Sequence, residues 1–155
     1  MYFLRLFGGI SLHARSGAAV PERVVQQRPL AVLALLAVAR EGGSTRDKLI
    51  GYLWPESEKE RARHRLADVV YLIRKSLGED AVLSAGDMLR LNAAVVQSDV
   101  GAFLDALDSK DRETAVELYK GPFLDGFNAS GAPEFERWVE SERQRLAGEY
   151  ADTLE

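Results

Sequence analysis

The sequence of 155 residues contains no cysteine, only two histidines and no long apolar run. The absence of cysteine excludes a disulfide framework, a cysteine-ligated zinc site and a thiol nucleophile. The longest apolar run, residues 30–39, is about half as long as the roughly 20 residues that a bilayer-spanning helix needs. The N-terminus also lacks the apolar core of a signal peptide. We therefore expect a cytoplasmic protein that does not enter a membrane.

The residue patterns of common enzymes and metal sites are also missing. His13 and His64 are far apart in the sequence and have no neighbouring cluster of carboxylates, so they make a poor metal site. The sequence has neither a phosphate-binding Gly-x-x-x-x-Gly-Lys-Ser/Thr loop nor a Gly-x-Ser-x-Gly nucleophile elbow. We predict a protein that is not an enzyme and binds neither a metal nor a cofactor.

Charge is distributed unevenly between the two parts of the chain. The net charge of −4 argues, as an average, against a nucleic-acid partner. Residues 1–96, however, contain 14 Lys+Arg and 10 Asp+Glu, a net +4, whereas residues 97–155 contain 6 and 14, a net −8. The sequence therefore predicts a mildly basic first segment and an acidic second one.

The first segment begins with strand patterns and continues with helical ones. Residues 2–7 and 10–13 are typical of short strands, and Val20 with Val24-Val25 favours a further strand. Apolar spacing from Pro29 predicts a core helix that ends at Gly42-Gly43. A second short helix is expected to begin at Ser44-Thr45 and to end at Trp54-Pro55, because proline disfavours helical geometry in the residue before it.

The third predicted helix, residues 58–77, has two distinct faces. At 100° per residue, an apolar stripe forms from Ala62, Leu66, Val69, Val70, Ile73 and Leu77. The opposite side, here called the outward face, carries Arg61, His64, Arg65, Asp68, Tyr71, Leu72 and Lys75. Residues 81–84 and 88–91 flank a Gly-Asp turn and predict a β-hairpin after this helix.

The second segment is expected to be helical. Residues 99–107 and 111–119 predict short helices that open with Asp99 and Asp111, which suit an N-cap or the positive end of the helix dipole. A loop with apolar anchors, residues 121–127, separates them from a long helix after Pro133. That helix has no stop signal before Glu155, so we expect this domain to continue beyond the given sequence.

Three helices followed by a hairpin are the element order of a winged helix, in which the third helix enters the major groove of DNA. A helix fits this groove, and Lys and Arg neutralise phosphates and release counterions. Arg61, Arg65 and Lys75 would contact phosphate, while His64 and Tyr71 could contact base edges or phosphate. The alternative is that this face is merely the solvated side of a core helix.

Two blocks of sequence resemble a known family. Residues 53–55, 60–66 and 71–80 (LWP, ERARHRL and YLIRKSLGED) form the first block, and residues 115–127 and 135–143 (AVELYKGPFLDGF and FERWVESER) form the second. Both resemble SARP-like transcriptional regulators with a bacterial transcriptional activator domain (BTAD). The resemblance implies an α+β fold: an OmpR-type winged helix over residues 1–96, then an all-α, tetratricopeptide-like BTAD module over residues 97–155.

The resemblance also implies a function. Such regulators bind promoter repeats on double-stranded DNA, recruit RNA polymerase and form homodimers. Carried over residue by residue, the DNA contacts would fall on Arg61, Arg63, His64, Arg65, Tyr71, Arg74 and Lys75 of the third helix and on Arg90 of the wing.

This sequence departs from the family at Ala67, Asp68 and Leu72, where polar residues such as Arg, Ser or Gln are common. Asp68 would repel phosphate, although a carboxylate can accept a hydrogen bond from cytosine. A protein-interaction module that keeps the fold and has lost DNA binding is therefore an alternative. The three cations that remain on the outward face favour DNA binding over this alternative. Two further expectations concern the second segment. If residues 97–155 covered the third helix, the protein would be in an autoinhibited state, and because this segment is acidic, removing it should raise the affinity for bulk DNA.

Overall fold

A computed structural model describes all 155 residues as a mixture of helices and two small sheets. The strands are β1 (Tyr2–Arg5), β2 (Ser11–Ala14), β3 (Ser44–Thr45), β4 (Val82–Ala85), β5 (Met88–Leu91) and β6 (Val96–Ser98). The helices are α1 (Gln27–Ala39), α2 (Arg46–Leu53), α3 (Lys59–Leu77), α4 (Asp99–Asp108), α5 (Arg112–Leu118) and α6 (Pro133–Leu154). This order is consistent with a winged helix followed by a helical module.

The N-terminal sheet joins strands from both predicted segments in the order β2-β1-β6. Strand β1 pairs antiparallel with β2, Leu4 opposite Leu12, and parallel with β6, Leu4 opposite Ser98. Alternation along β1 buries Leu4 and leaves Phe3 and Arg5 exposed. The sequence did not predict β6, because its partner lies more than ninety residues earlier and no local pattern marks that pairing.

The second sheet, in the order β3-β5-β4, contains the predicted hairpin. Strands β4 and β5 pair antiparallel around Gly86 and Asp87, as the Gly-Asp turn predicted. Strand β3 was not predicted and lies on the other side of β5. Gly43 precedes β3 with φ of 66°, and a Cβ atom there would lie 2.5 Å from the Leu89 carbonyl oxygen, so this close approach requires glycine.

The helices of the first segment form where the apolar spacing predicted them. Nine residues of α1 are buried, which explains why it is apolar nearly all round. Helices α2 and α3 pack against α1 and each other. Thr45 caps α2 by accepting a hydrogen bond from the Lys48 N–H at 3.2 Å, and the buried Trp54 follows the helix.

One prediction for the first segment is wrong. Val20 lies outside regular structure, and residues Glu22–Val25 form a single 3-10 turn instead of a strand. Val24 of this turn is buried, and the turn packs against α1 and α3. The valine pattern therefore marked a core contact, but β-branched residues alone did not determine the backbone geometry.

The second segment is built on the core of the first. Helices α4 and α5 pack together, α5 contacts α6, and α6 also packs on α2. The buried core is one continuous cluster that contains residues of both segments. The loop after α5 closes this junction: the Leu124 N–H donates to the Leu6 carbonyl oxygen at 2.8 Å, and Phe7 forms a β-bridge with Phe123.

The two aspartates that open α4 and α5 occupy different positions. Asp111 is an N-cap, as predicted, and accepts from the Thr114 N–H at 3.3 Å. The N-cap of α4 is Ser98, which accepts from the Gly101 N–H at 2.9 Å. Asp99 lies in the first turn of α4, so for this residue the N-cap alternative is wrong and the position at the positive end of the helix dipole is confirmed.

None of the six helices combines the length and apolar character that a membrane span requires. The most apolar of them, α1, has 13 residues and lies inside the protein core.

Candidate nucleic-acid interface

Helix α3 has a buried side and an exposed side, as its sequence predicted. Five residues of the apolar stripe are buried and Val69 is half-buried. The elements that pack most extensively against α3 are the 3-10 turn, α1, α2 and strand β4, all from the first segment. Arg61, His64, Arg65, Tyr71 and Lys75 are exposed to solvent. The outward face is therefore open, and residues 97–155 do not cover it.

The outward face combines cations with an aromatic ring and one acid. The ammonium of Lys75 lies 5.9 Å from the centre of the Tyr71 ring, whose residue is 64% exposed. His64 and Asp68 lie one helical turn apart, with Nε2 and Oδ2 separated by 3.9 Å. The three cations Arg61, Arg65 and Lys75 form no ion pair, so they are available to an anionic partner.

Arg63, unlike these three cations, forms an ion pair. Its Nη2 donates to the Asp47 Oδ1 atom of α2 at 2.7 Å, and Lys59 lies 3.9 Å from the other oxygen of that carboxylate. The helical wheel could not show this contact, because Asp47 belongs to a different helix. Asp47 is therefore a residue of the candidate interface that sequence reasoning missed.

Arg74 joins α3 to the hairpin. It is half-buried, and its Nε and Nη2 atoms both donate to the Val82 carbonyl oxygen of β4, at 3.0 and 2.8 Å. This contact fixes the position of the hairpin beside the C-terminal end of α3. Arg74 was predicted as a DNA contact, but its guanidinium is engaged in holding the hairpin.

We expect Arg74→Met to lower the free energy of unfolding by about 1–2 kcal/mol, because methionine keeps the aliphatic stem and loses a charged donor. Lys75→Met is the matched control, and we expect it to change stability by less than about 0.5 kcal/mol since Lys75 is exposed. Urea unfolding of the three proteins measures both values. Equal effects of the two substitutions would contradict this role of Arg74.

Arg90 belongs to strand β5 of the hairpin and not to α3. It lines a cleft of about 700 Å³ between the end of α1, strands β5 and β6, and helix α4. Arg40 also lines this cleft and forms ion pairs with Asp105 and Asp108 at 2.8 and 2.9 Å. These two carboxylates raise the pKa of Arg40. None of the cations of α3 lines this cleft.

Arg28 of α1 adds a cation that sequence reasoning did not identify. Its guanidinium donates to the carbonyl oxygens of Leu53 at 3.1 Å and Ser130 at 2.7 Å, and lies 6.0 Å from the Trp54 ring. Burial lowers the pKa of Arg28, and the positive charge of nearby Arg65 lowers it further. Arg28 and Arg65 thus form a region of positive potential where α1 approaches α3.

No group of three or more His, Asp or Glu side chains is arranged to hold a metal ion. The interface offers side chains of another kind: charged donors, a phenol and an imidazole. These groups suit an anionic surface that has hydrogen-bond acceptors, such as a nucleic-acid backbone.

No protein-family model and no curated protein matches this sequence. Among solved structures, the chain is similar to Mycobacterium tuberculosis EmbR in complex with a low-affinity phosphopeptide, with a TM-score of 0.69 and 23% sequence identity. The two share a fold. The alignment covers 98% of this chain and 43% of the EmbR chain, so this chain spans less than half the length of EmbR. A likeness at this level of identity shows the fold alone, because one fold can carry several functions.

Proposed function

We propose that this chain is the DNA-binding part of a transcriptional regulator, and that it binds double-stranded DNA through the outward face of α3. The observation that carries the proposal is the exposure of Arg61, Arg65 and Lys75 on one helix, without acidic partners and without cover from the second segment. A solvated core helix needs no such concentration of unpaired cations.

The dimensions and surroundings of α3 support this proposal. Its 19 residues give a length of about 28 Å, and a helix of this diameter fits the major groove. Helix α2 precedes it and packs against it, as the first helix of a helix-turn-helix does. The hairpin, held by Arg74, lies at the end of α3 where the wing of a winged helix would contact the adjacent backbone.

The distribution of charge supports it as well. The acidic second segment, with a net −8, packs on α1, α2 and β1 and leaves α3 exposed. Acidic groups there repel DNA from the other surfaces of the chain and favour approach through the α3 side. The proposed winged helix of residues 1–96 and BTAD module of residues 97–155 would divide binding from the recruitment of RNA polymerase and homodimerisation.

The test is a salt titration of binding to a bulk DNA duplex. We expect affinity to fall linearly on a log–log plot of binding constant against salt, with a slope of about −0.9 for each neutralised phosphate. Arg65→Ala should weaken binding several-fold at 50 mM salt and reduce the slope by about 1. Arg137→Ala on α6 removes the same charge from an exposed position and should leave binding unchanged.

Asp68 favours a second candidate function. This exposed acid lies beside His64 in the middle of the outward face, where it would oppose a phosphate. A protein-interaction module with the same fold would use that mixed surface for a protein partner. No salt-sensitive DNA affinity at 50 mM salt would reject DNA binding and support this candidate.

A further inference from the structure

We infer that Asp47 competes with DNA phosphate for two cations of α3. Its carboxylate binds Arg63 and Lys59 until the DNA backbone displaces it. The inference rests on the proposed function and names how the same site is regulated. It divides the cations of the interface into two classes: three that are free before DNA arrives, and two that an acid of α2 already holds.

The geometry at Asp47 places one carboxylate between two cations of α3. Arg63 Nη2 lies 2.7 Å from Oδ1, and Lys59 Nζ lies 3.9 Å from Oδ2. The side chains of Asp47, Arg63 and Lys59 are 52%, 42% and 71% exposed. Water reaches all three groups, so these contacts can be exchanged for contacts with another oxyanion at small cost.

The position of Asp47 determines which oxyanion it competes with. It lies in the first turn of α2, two residues after the Thr45 cap, and contacts Arg63 in the first half of α3. The first helix of a helix-turn-helix crosses the DNA backbone, and the positive end of a helix attracts an anion. Carboxylate and phosphate accept the same charged hydrogen bonds from Arg. A backbone phosphate that reached this corner would therefore meet two cations already bound to a carboxylate.

This arrangement predicts two steps of binding with different chemistry. The free cations Arg61, Arg65 and Lys75 attract DNA from a distance, since long-range attraction needs uncompensated charge. Arg63 and Lys59 contribute only after phosphate replaces Asp47, and the released carboxylate then recruits a solution cation. That recruitment offsets part of the counterion release and lowers both the affinity and its salt dependence.

The experiment compares Asp47→Asn with the unmodified chain in binding to a random-sequence 20-base-pair duplex between 50 and 300 mM salt. We expect the variant to bind about three- to tenfold more tightly at 50 mM salt, as two weak surface ion pairs are released. The log–log salt slope should become steeper by about 1. Thermal unfolding of each protein checks that it remains folded.

Two further comparisons separate displacement from a general charge effect. Glu113→Gln changes the net charge equally on α5, which packs against α4 and α6, and should leave affinity unchanged. In a chain that carries Lys59→Ala and Arg63→Ala, the gain from Asp47→Asn should disappear, because no held cation remains. A gain of the same size in that background would overturn the inference, since Asp47 would then act by simple repulsion.

The outcomes also distinguish this inference from the proposed function. If the unmodified chain binds DNA with a negative salt slope and Asp47→Asn binds no more tightly, the inference fails and the proposed function stands. If the unmodified chain shows no salt-dependent binding, the proposed function fails and the competitor has no ligand to compete with.

Discussion

Replacing Arg61, Arg65 and Lys75 together by alanine should abolish measurable binding to bulk duplex DNA at physiological salt. These cations are exposed on the outward face of α3 and have no acidic partner. Losing three phosphate contacts should make the log–log salt slope shallower by roughly 3 and lower affinity at 50 mM salt on the order of 100-fold. A fluorescence-anisotropy titration at several salt concentrations measures both quantities.

The control for this triple variant removes the same charge from the second segment. Lys120, Arg137 and Arg145 are exposed there and lie outside α3. Replacing these three residues by alanine should lower affinity by less than about threefold, because distant exposed charges are screened within about 10 Å in 0.1 M salt. Similar losses in the two variants would show that net charge, and not the outward face, determines binding.

The largest effect on stability is expected from Asp99→Ala. The carboxylate of Asp99 is buried, and it accepts hydrogen bonds from the backbone N–H groups of Leu6 at 2.8 Å and Phe7 at 3.0 Å. Alanine would leave both donors without a partner inside the protein. Each unsatisfied buried donor costs about 1–3 kcal/mol, so the free energy of unfolding should fall by about 2–6 kcal/mol. Chemical denaturation measures this loss.

Asp111→Ala is the matched control for Asp99→Ala. Asp111 also stands at the beginning of a helix, but its carboxylate is exposed and its bonds are local to α5. We expect a clearly smaller loss of stability than for Asp99→Ala, because water can replace the cap of an exposed helix end. Equal losses would show that Asp99 acts only as a local helix-start residue and does not join the two segments.

The pKa of Asp99 adds a pH dependence to this prediction. Burial raises the pKa above the ordinary value, and the N–H groups of Phe7, Leu6 and Val100 oppose that shift without cancelling it. The folded state then binds this proton more tightly than the unfolded state does. The contribution of Asp99 to stability is therefore fullest below the unfolded pKa, near 4, and declines as pH rises through the raised folded pKa. The stability difference between the unmodified chain and Asp99→Asn should decline over the same range.

The sequence predicted those parts of the fold that depend on local patterns. The prediction of the buried face of α3 was correct, because five apolar positions at helical spacing are enough to define such a face. The prediction of the hairpin was correct, because a Gly-Asp turn with flanking apolar residues determines how the two strands beside it pair. Strands β3 and β6 were missed because each consists of two or three residues that become strand only beside a distant partner. The valines of the 3-10 turn were misread for the same reason, since burial by α1 and α3 determines their geometry.

The candidate site was predictable only in part. A helical wheel correctly placed Arg61, Arg65 and Lys75 toward solvent, because exposure follows from the position of the buried stripe. The same wheel could not show that Arg63 is held by Asp47, that Arg74 is held by Val82, or that Arg90 belongs to another cleft. Those outcomes depend on where α2 and the hairpin lie relative to α3, and on where α4 lies relative to the hairpin. The division into residues 1–96 and 97–155 stays a prediction.

Both tryptophans of the chain lie where its two segments meet. The Trp54 ring lies beneath Arg28, which also donates to the Ser130 carbonyl oxygen of the second segment. The Trp138 ring of α6 lies 6.1 Å from the Tyr52 ring of α2. Indole emission shifts when the ring meets water, and neither ring lies on the outward face of α3. Intrinsic tryptophan fluorescence therefore reports whether the second segment stays packed against the first one while the first one binds a ligand.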